Sequence, residues 1–302
     1  KMKYFKTQST RAAKRYKITP HEFLETTERK FPFEQINEQG RISQYGICPS
    51  CLNPIQLIGV VKEIKGNPYG KHTGKNIRGL PARSQRKYKY CPFAVKNIRR
   101  LPNDDEWLTE IDEEVIELYN LLKNQFDRII YILGKELDIR CSSAFWRSVL
   151  NQYLVNKTYL YPWLTEANLP YIFAYFGMQH QRVYGQKFRV DSDIYNTLAV
   201  YKDVEFIKEN GYARIVNQKG SFLNLFFRFI NHSHKVSEGE TLIESMLFCI
   251  DDRLSGKTIF EKKIEFSETY FMNIVNKNEL DEKRQQWLLD IADELMKPLK
   301  HN

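Results

Sequence analysis

A chain of 302 residues with 42% hydrophobic and 14% aromatic content can bury a substantial core, which excludes a disordered or low-complexity protein. Its net charge of +9 points to acidic partners. No apolar run approaches the roughly 20 residues of a membrane helix, and five cysteines, an odd number, suit metal ligands and free thiols better than a disulfide framework.

The segment Lys1-Met2-Lys3-Tyr4-Phe5-Lys6 lacks the apolar core of a signal peptide, so the expectation is a cytoplasmic protein with no membrane partner. Residues 1–30 carry nine basic residues against three acidic ones. Thr19-Pro20-His21-Glu22 reads as a helix start, with Thr19 as N-cap, Pro20 at the first helical position and Glu22 completing a capping box. That helix is expected to bury Phe23 and Leu24 and to stop near Phe31-Pro32.

Cys48-Pro49-Ser50-Cys51 has the spacing at which two thiolates meet one tetrahedral ion, and Cys91-Pro92 repeats half of the pattern. Ala94 stands where a second CxxC would end. The histidine between the two cysteine positions is His72, which gives Cys48, Cys51, His72 and Cys91 as a Cys₃His set for zinc. His21 and Cys141 are the alternatives for the fourth place. The plainer alternative is three reduced cysteines that happen to lie close in sequence.

Between Lys62 and Arg100 twelve basic residues face Glu63 alone, a surplus larger than that of the whole chain. Lys71, Lys75, Arg78, Arg83, Arg86 and Lys87 are spread over a glycine-containing loop interleaved with Tyr88 and Tyr90. Distributed cations with aromatic rings suit phosphate tracking and base stacking, so the expected partner is DNA or RNA. An acidic protein is the alternative, which would make the chain an adaptor.

From Asn103 to Gly134 apolar residues recur at spacings of three and four, which predicts one long amphipathic helix. Its early acids, Asp104, Asp105, Glu106 and Glu110, oppose the helix dipole and none is expected to face inward. Residues 142–155 and 169–178 predict two aromatic-rich helices around a Tyr161-Pro162-Trp163 bend, and His180 is expected at the surface. Residues 212–216, 221–230, 241–250 and 257–266 read as strands of one small antiparallel sheet. Residues 267–275 and 282–296 predict helices, the last packed on that sheet.

Two phosphate-loop near misses, at Gly70–Asn76 and Ser255–Thr258, lack a required glycine spacing or hydroxyl. His232-Ser233-His234 could present two imidazoles from one strand face, with Asp251 or Asp252 adding an oxygen ligand, as in a metal-dependent nuclease or phosphohydrolase. The alternative leaves these histidines solvated in a hairpin turn.

The expected fold class is α+β. A basic N-terminal region (1–102) holds a zinc-ribbon-like module at about 45–100, followed by a helical section (103–185) and an α+β C-terminal domain (186–302). The leading expectation is a non-enzymatic, zinc-containing nucleic-acid binder whose acidic C-terminal part serves self-association or a protein partner.

Overall fold

The computed structural model describes residues 2–10, 13–62, 64–89, 91, 93–94, 102, 106–219, 221–236, 242–267, 269–277 and 283–300. The fold is mixed α/β with several small antiparallel sheets. Two compact units emerge, Lys1–Leu101 with His234–Ile243, and Pro102–Ser233 with Glu244–Asn302. Among the described residues no helix is long and apolar enough to cross a membrane.

The first unit is built from short elements. Strands β1 (Tyr4–Phe5) and β2 (Tyr16–Lys17) pair with each other, and α1 (Pro20–Thr27) follows. Thr19 caps α1 by accepting from the Glu22 N–H at 3.2 Å, as the sequence implies. The helix stops earlier than expected, at Thr27, because Glu28 and Arg29 turn left-handed. Phe23 is buried but Leu24 is exposed, since eight residues bury only a narrow stripe.

Strands β3 (Glu34–Ile36), β4 (Ile42–Ile47), β5 (Pro54–Ile58) and β6 (Tyr69–His72) then form an antiparallel meander, and α2 (Gln85–Lys89) follows. Met2, Phe5, Ile18, Phe23, Ile55 and Leu57 make its core together with three cysteines.

The second unit carries most of the helices. The long helix expected over 103–134 is instead two, α3 (Glu113–Asn124) and α4 (Phe126–Glu136), broken at Gln125 where φ and ψ are −120° and 20°. Asp112 caps α3 through the Val115 N–H at 2.8 Å, so Trp107, Leu108 and Ile111 precede the helix. Asp104 and Asp105 lie outside the described residues. A later acid, which no signal in the sequence singled out, does face inward. Asp127 is buried on α4, where both its oxygens accept from Arg284 at 2.8 Å and one also takes the Gln285 N–H at 3.1 Å.

Short β7 (Ile139–Arg140) leads into α5 (Ser143–Val155), capped by Ser142, and then α6 (Leu169–Gly177), both as read from the sequence. α6 is buried nearly all round and packs on α4 and α5. At Gly177 a Cβ would stand 2.9 Å from the Val149 carbonyl oxygen, so only glycine permits that approach.

Strand β8 (Lys187–Arg189), α7 (Asp193–Ala199), β9 (Val204–Glu209) and β10 (Tyr212–Asn217) follow, and β7-β8-β10-β9 form one sheet. Residues 212–217 therefore belong to a different sheet from the later strands. The last three, β11 (Leu225–Val236), β12 (Leu242–Asp252) and β13 (Lys257–Glu265), pair in that order.

β11 runs six residues beyond the expected turn, so His232-Ser233-His234 is strand rather than loop. Helices α8 (Tyr270–Val275) and α9 (Gln286–Leu295) close the chain. α9 packs on α3, α4 and α5 rather than on a sheet, burying Leu288, Ile291 and Ala292.

The Asp127–Arg284 pair ties the start of α9 to α4. Replacing Asp127 with Ala removes the carboxylate facing a partly buried guanidinium and should cost about 3 kcal/mol. Urea unfolding followed by tryptophan fluorescence measures this, because all four tryptophans lie in the second unit.

Candidate metal centre

Four side chains from three separate stretches converge in the first unit. Ile47, the last residue of β4, pairs with Pro54, the first of β5, so the six residues between them must reverse the chain tightly. Cys48 begins that reversal, donating its N–H to the Asn53 carbonyl at 2.8 Å and accepting from the Leu52 N–H at 3.1 Å. Leu52 takes a left-handed conformation (φ 59°), which completes the knuckle and turns both cysteine sulfurs inward. The β5–β6 register sets Ile55 opposite His72, carrying the imidazole to the same place. Cys91 follows α2 and is fixed by its N–H to the Tyr88 carbonyl at 3.1 Å.

The ligand atoms of Cys48, Cys51, His72 and Cys91 all lie within 4.8 Å of one another, and the three cysteines are buried. Cys48 Sγ is 3.7 Å from Cys91 Sγ, and His72 Nε2 is 3.2 Å from Cys51 Sγ. This Cys₃His group could hold one metal ion. Among the described residues it is the one such grouping. His21 and Cys141, the other candidates for the fourth position, are not part of it.

Asn53 braces the site. Its amide donates to Cys51 Sγ at 3.4 Å and to the Ser84 carbonyl at 3.0 Å, while its oxygen accepts the Ser84 N–H at 2.6 Å. Ser84 in turn caps α2 through the Lys87 N–H at 3.1 Å. The knuckle and the helix that precedes Cys91 are thereby joined by one side chain. The sequence offered Asn53 only as a turn former, because nothing local shows that residue 84 will meet it.

Burial pushes the Cys48 thiol well up, and its sulfur neighbours add to the shift. Burial also dominates at Cys91 and raises it. At Cys51 burial opposes the thiolate, yet hydrogen bonds from Cys48, Cys91 and His72 prevail and hold it well below the ordinary thiol value. Three sulfurs and an imidazole nitrogen held this close together form an arrangement suited to a cation.

The basic residues lie around this centre. Lys71, Lys75 and Arg78 are exposed, Arg83 and Lys87 half-buried, and Arg86 is buried on the inner side of α2. Lys75 pairs with Glu38. Tyr88 sets its ring edge-on to His72 with centroids 5.1 Å apart, and the Arg83 guanidinium lies 5.5 Å from its centroid, so Tyr88 packs on the proposed ligand. Tyr90 lies outside the described residues.

The second cluster has a different form from the expected one. Asn231 adopts φ 56°, interrupting the alternation of β11, so His232 is buried although Arg228 and Ile230, two and four residues earlier, are only half-buried. His232 Nε2 stands 2.7 Å from Glu244 Oε1 and Nδ1 3.1 Å from the Tyr161 hydroxyl, among the rings of Trp163, Tyr175 and Phe266.

Asp251 is engaged by Arg228 and accepts from Thr258 Oγ1 at 2.9 Å. Arg228 lies four residues from His232 on β11, roughly 13 Å along an extended strand. The side chain of His234 lies outside the described residues. His180 is exposed, as expected.

Comparison with protein-family models, with curated proteins and with solved structures found no match to this chain.

Two outcomes follow from the geometry. Cys91→Ser should abolish stoichiometric metal binding, and Asn53→Ala should weaken it by about 10- to 100-fold while leaving all four ligands in place, as competition with a chromogenic chelator would measure. The raised Cys48 and Cys91 thiols are protonated at neutral pH and must lose their protons to ligate. Metal uptake should therefore release protons, and affinity should fall as pH falls. Calorimetry in buffers of differing ionisation enthalpy counts them.

Proposed function

We propose that this chain is a zinc-containing nucleic-acid-binding protein, in which a zinc-ribbon-like knuckle presents a basic loop to the phosphate backbone. Three sulfurs and one imidazole nitrogen suit zinc among the common divalent ions. Two thiolates bound at about 2.3 Å to a tetrahedral ion stand about 3.8 Å apart, close to the 3.7 Å between Cys48 and Cys91.

The observation that carries the reading is the position of the basic loop relative to the ligands. His72 and Cys91 lie at its two ends, so one ion would pin both, while Lys71, Lys75 and Arg78 extend outward. Cations spread along a pinned loop match a run of phosphates better than they match base edges in a groove, which a single helix usually reads. The hydrolytic alternative has no comparable support, since His232 and Asp251 are each occupied by partners of their own.

The test is a salt titration of binding to labelled single- and double-stranded DNA and RNA. With about five phosphates neutralised, the log-log slope should be near −4, and each exposed Lys or Arg changed to Gln should flatten it by about one unit. Stripping the metal should weaken binding as well. Binding indifferent to salt, or unchanged in a multiple Lys/Arg→Gln variant, would favour an adaptor for an acidic protein.

A further inference from the structure

We propose that a cleft in the first unit, between residues 7–10 and 79–81, receives one unpaired nucleobase while Arg78 holds the adjoining phosphate at its rim. This deepens the nucleic-acid reading above and rests on it. The cleft is open to solvent and has a volume of about 620 Å³, within the range of sites that take small organic groups.

Its two sides differ in chemistry. Pro32, Phe33, Leu80 and Pro81 supply an apolar wall, and Ile47 the floor. Thr7, Gln8, Ser9 and Thr10 also line the cleft and bring hydroxyls, an amide and main-chain groups. Among the described residues no charged side chain lines the cleft. The group that enters is therefore uncharged, with an apolar face and a hydrogen-bonding edge, which describes a nucleobase. Phosphates remain outside, where Arg78 is exposed with its guanidinium 5.7 Å from the Phe31 ring centroid.

The walls are held before any ligand arrives. Lys6 is wholly buried, donates from Nζ to the Thr10 carbonyl at 3.0 Å, and exchanges both backbone hydrogen bonds with Ile47 at 2.9 and 3.0 Å. Gln35 donates to the carbonyls of Pro32 at 2.8 Å and Arg78 at 3.2 Å, tying the two halves of the apolar wall. Gly79, at φ 76°, lies so close to Phe31 that a Cβ would fall 2.6 Å from the ring. A preformed cleft loses little entropy on filling. Its floor residue also precedes Cys48, so the metal centre and the cleft share a strand end.

The test compares a labelled single-stranded oligothymidylate of about 10 nucleotides with an abasic strand of equal length, against the full-length protein loaded with zinc. The base-bearing strand should bind roughly tenfold more tightly, the scale of one stacked base. Ser9→Leu enlarges a lining residue without adding a ring on which a base could stack, and should erase that preference while leaving zinc content and abasic-strand affinity unchanged.

Equal binding of the two strands by the parent protein would overturn the cleft assignment and leave the backbone-binding function standing. A preference that survives Ser9→Leu would also overturn it, placing the base elsewhere, for example on Tyr88. Absence of binding to either strand would overturn both proposals.

Discussion

The side-chain amide of Asn53 is the joint on which the arrangement of the first unit depends. It satisfies both main-chain groups of Ser84 and touches the sulfur of Cys51, so a knuckle and a helix thirty residues apart are set in one frame. A buried amide with these partners has almost no freedom to move without leaving a polar group unpaired. The thiol of Cys91 reaches the other cysteines because α2 starts where Asn53 holds it.

The two units illustrate different solutions to the same problem. Among its described residues the first has two short helices, brief strands and a core in which sulfur atoms occupy places that larger proteins give to leucine or phenylalanine. Such a unit gains from a bound ion, since a site absent from the unfolded chain turns binding energy into folding energy. The second is held by packing and ion pairing. α6 is enclosed by other helices, stacked and edge-to-face aromatic pairs fill the space around it, and the Asp127–Arg284 pair fixes the C-terminal helix.

Local signals in the sequence were reliable where one short stretch decides the outcome. The cap at Thr19, the helices at 143–155 and 169–177, and the gathering of Cys48, Cys51, His72 and Cys91 all follow from spacing and residue type. Reading failed where distant residues decide. The apolar periodicity of 103–134 continues through Gln125 without a proline or glycine to mark the break.

The strand β11 was ended too early because Asn-His-Ser-His has the composition of a turn, whereas Asn231 uses its tolerance of positive φ inside the strand. That single residue also reverses which face His232 occupies, and converts an apparent pair of exposed imidazoles into a histidine buried beside Glu244 and Tyr161. Neither partner is near in sequence, so no motif could announce them.

The pairing of Ile55 with His72 has one more consequence, for how this unit accommodates change in chain length. A slip of one residue between β5 and β6 would send the imidazole to the opposite face, but that register is held by strand pairing and not by the connection from 59 to 68. Within that connection Gly66 faces open space, whereas Gly59 is pressed against Ile64 and Pro68. Extra residues beside Gly66 would extend into solvent and leave every ligand where it is, which makes that point a natural port for a grafted label or peptide.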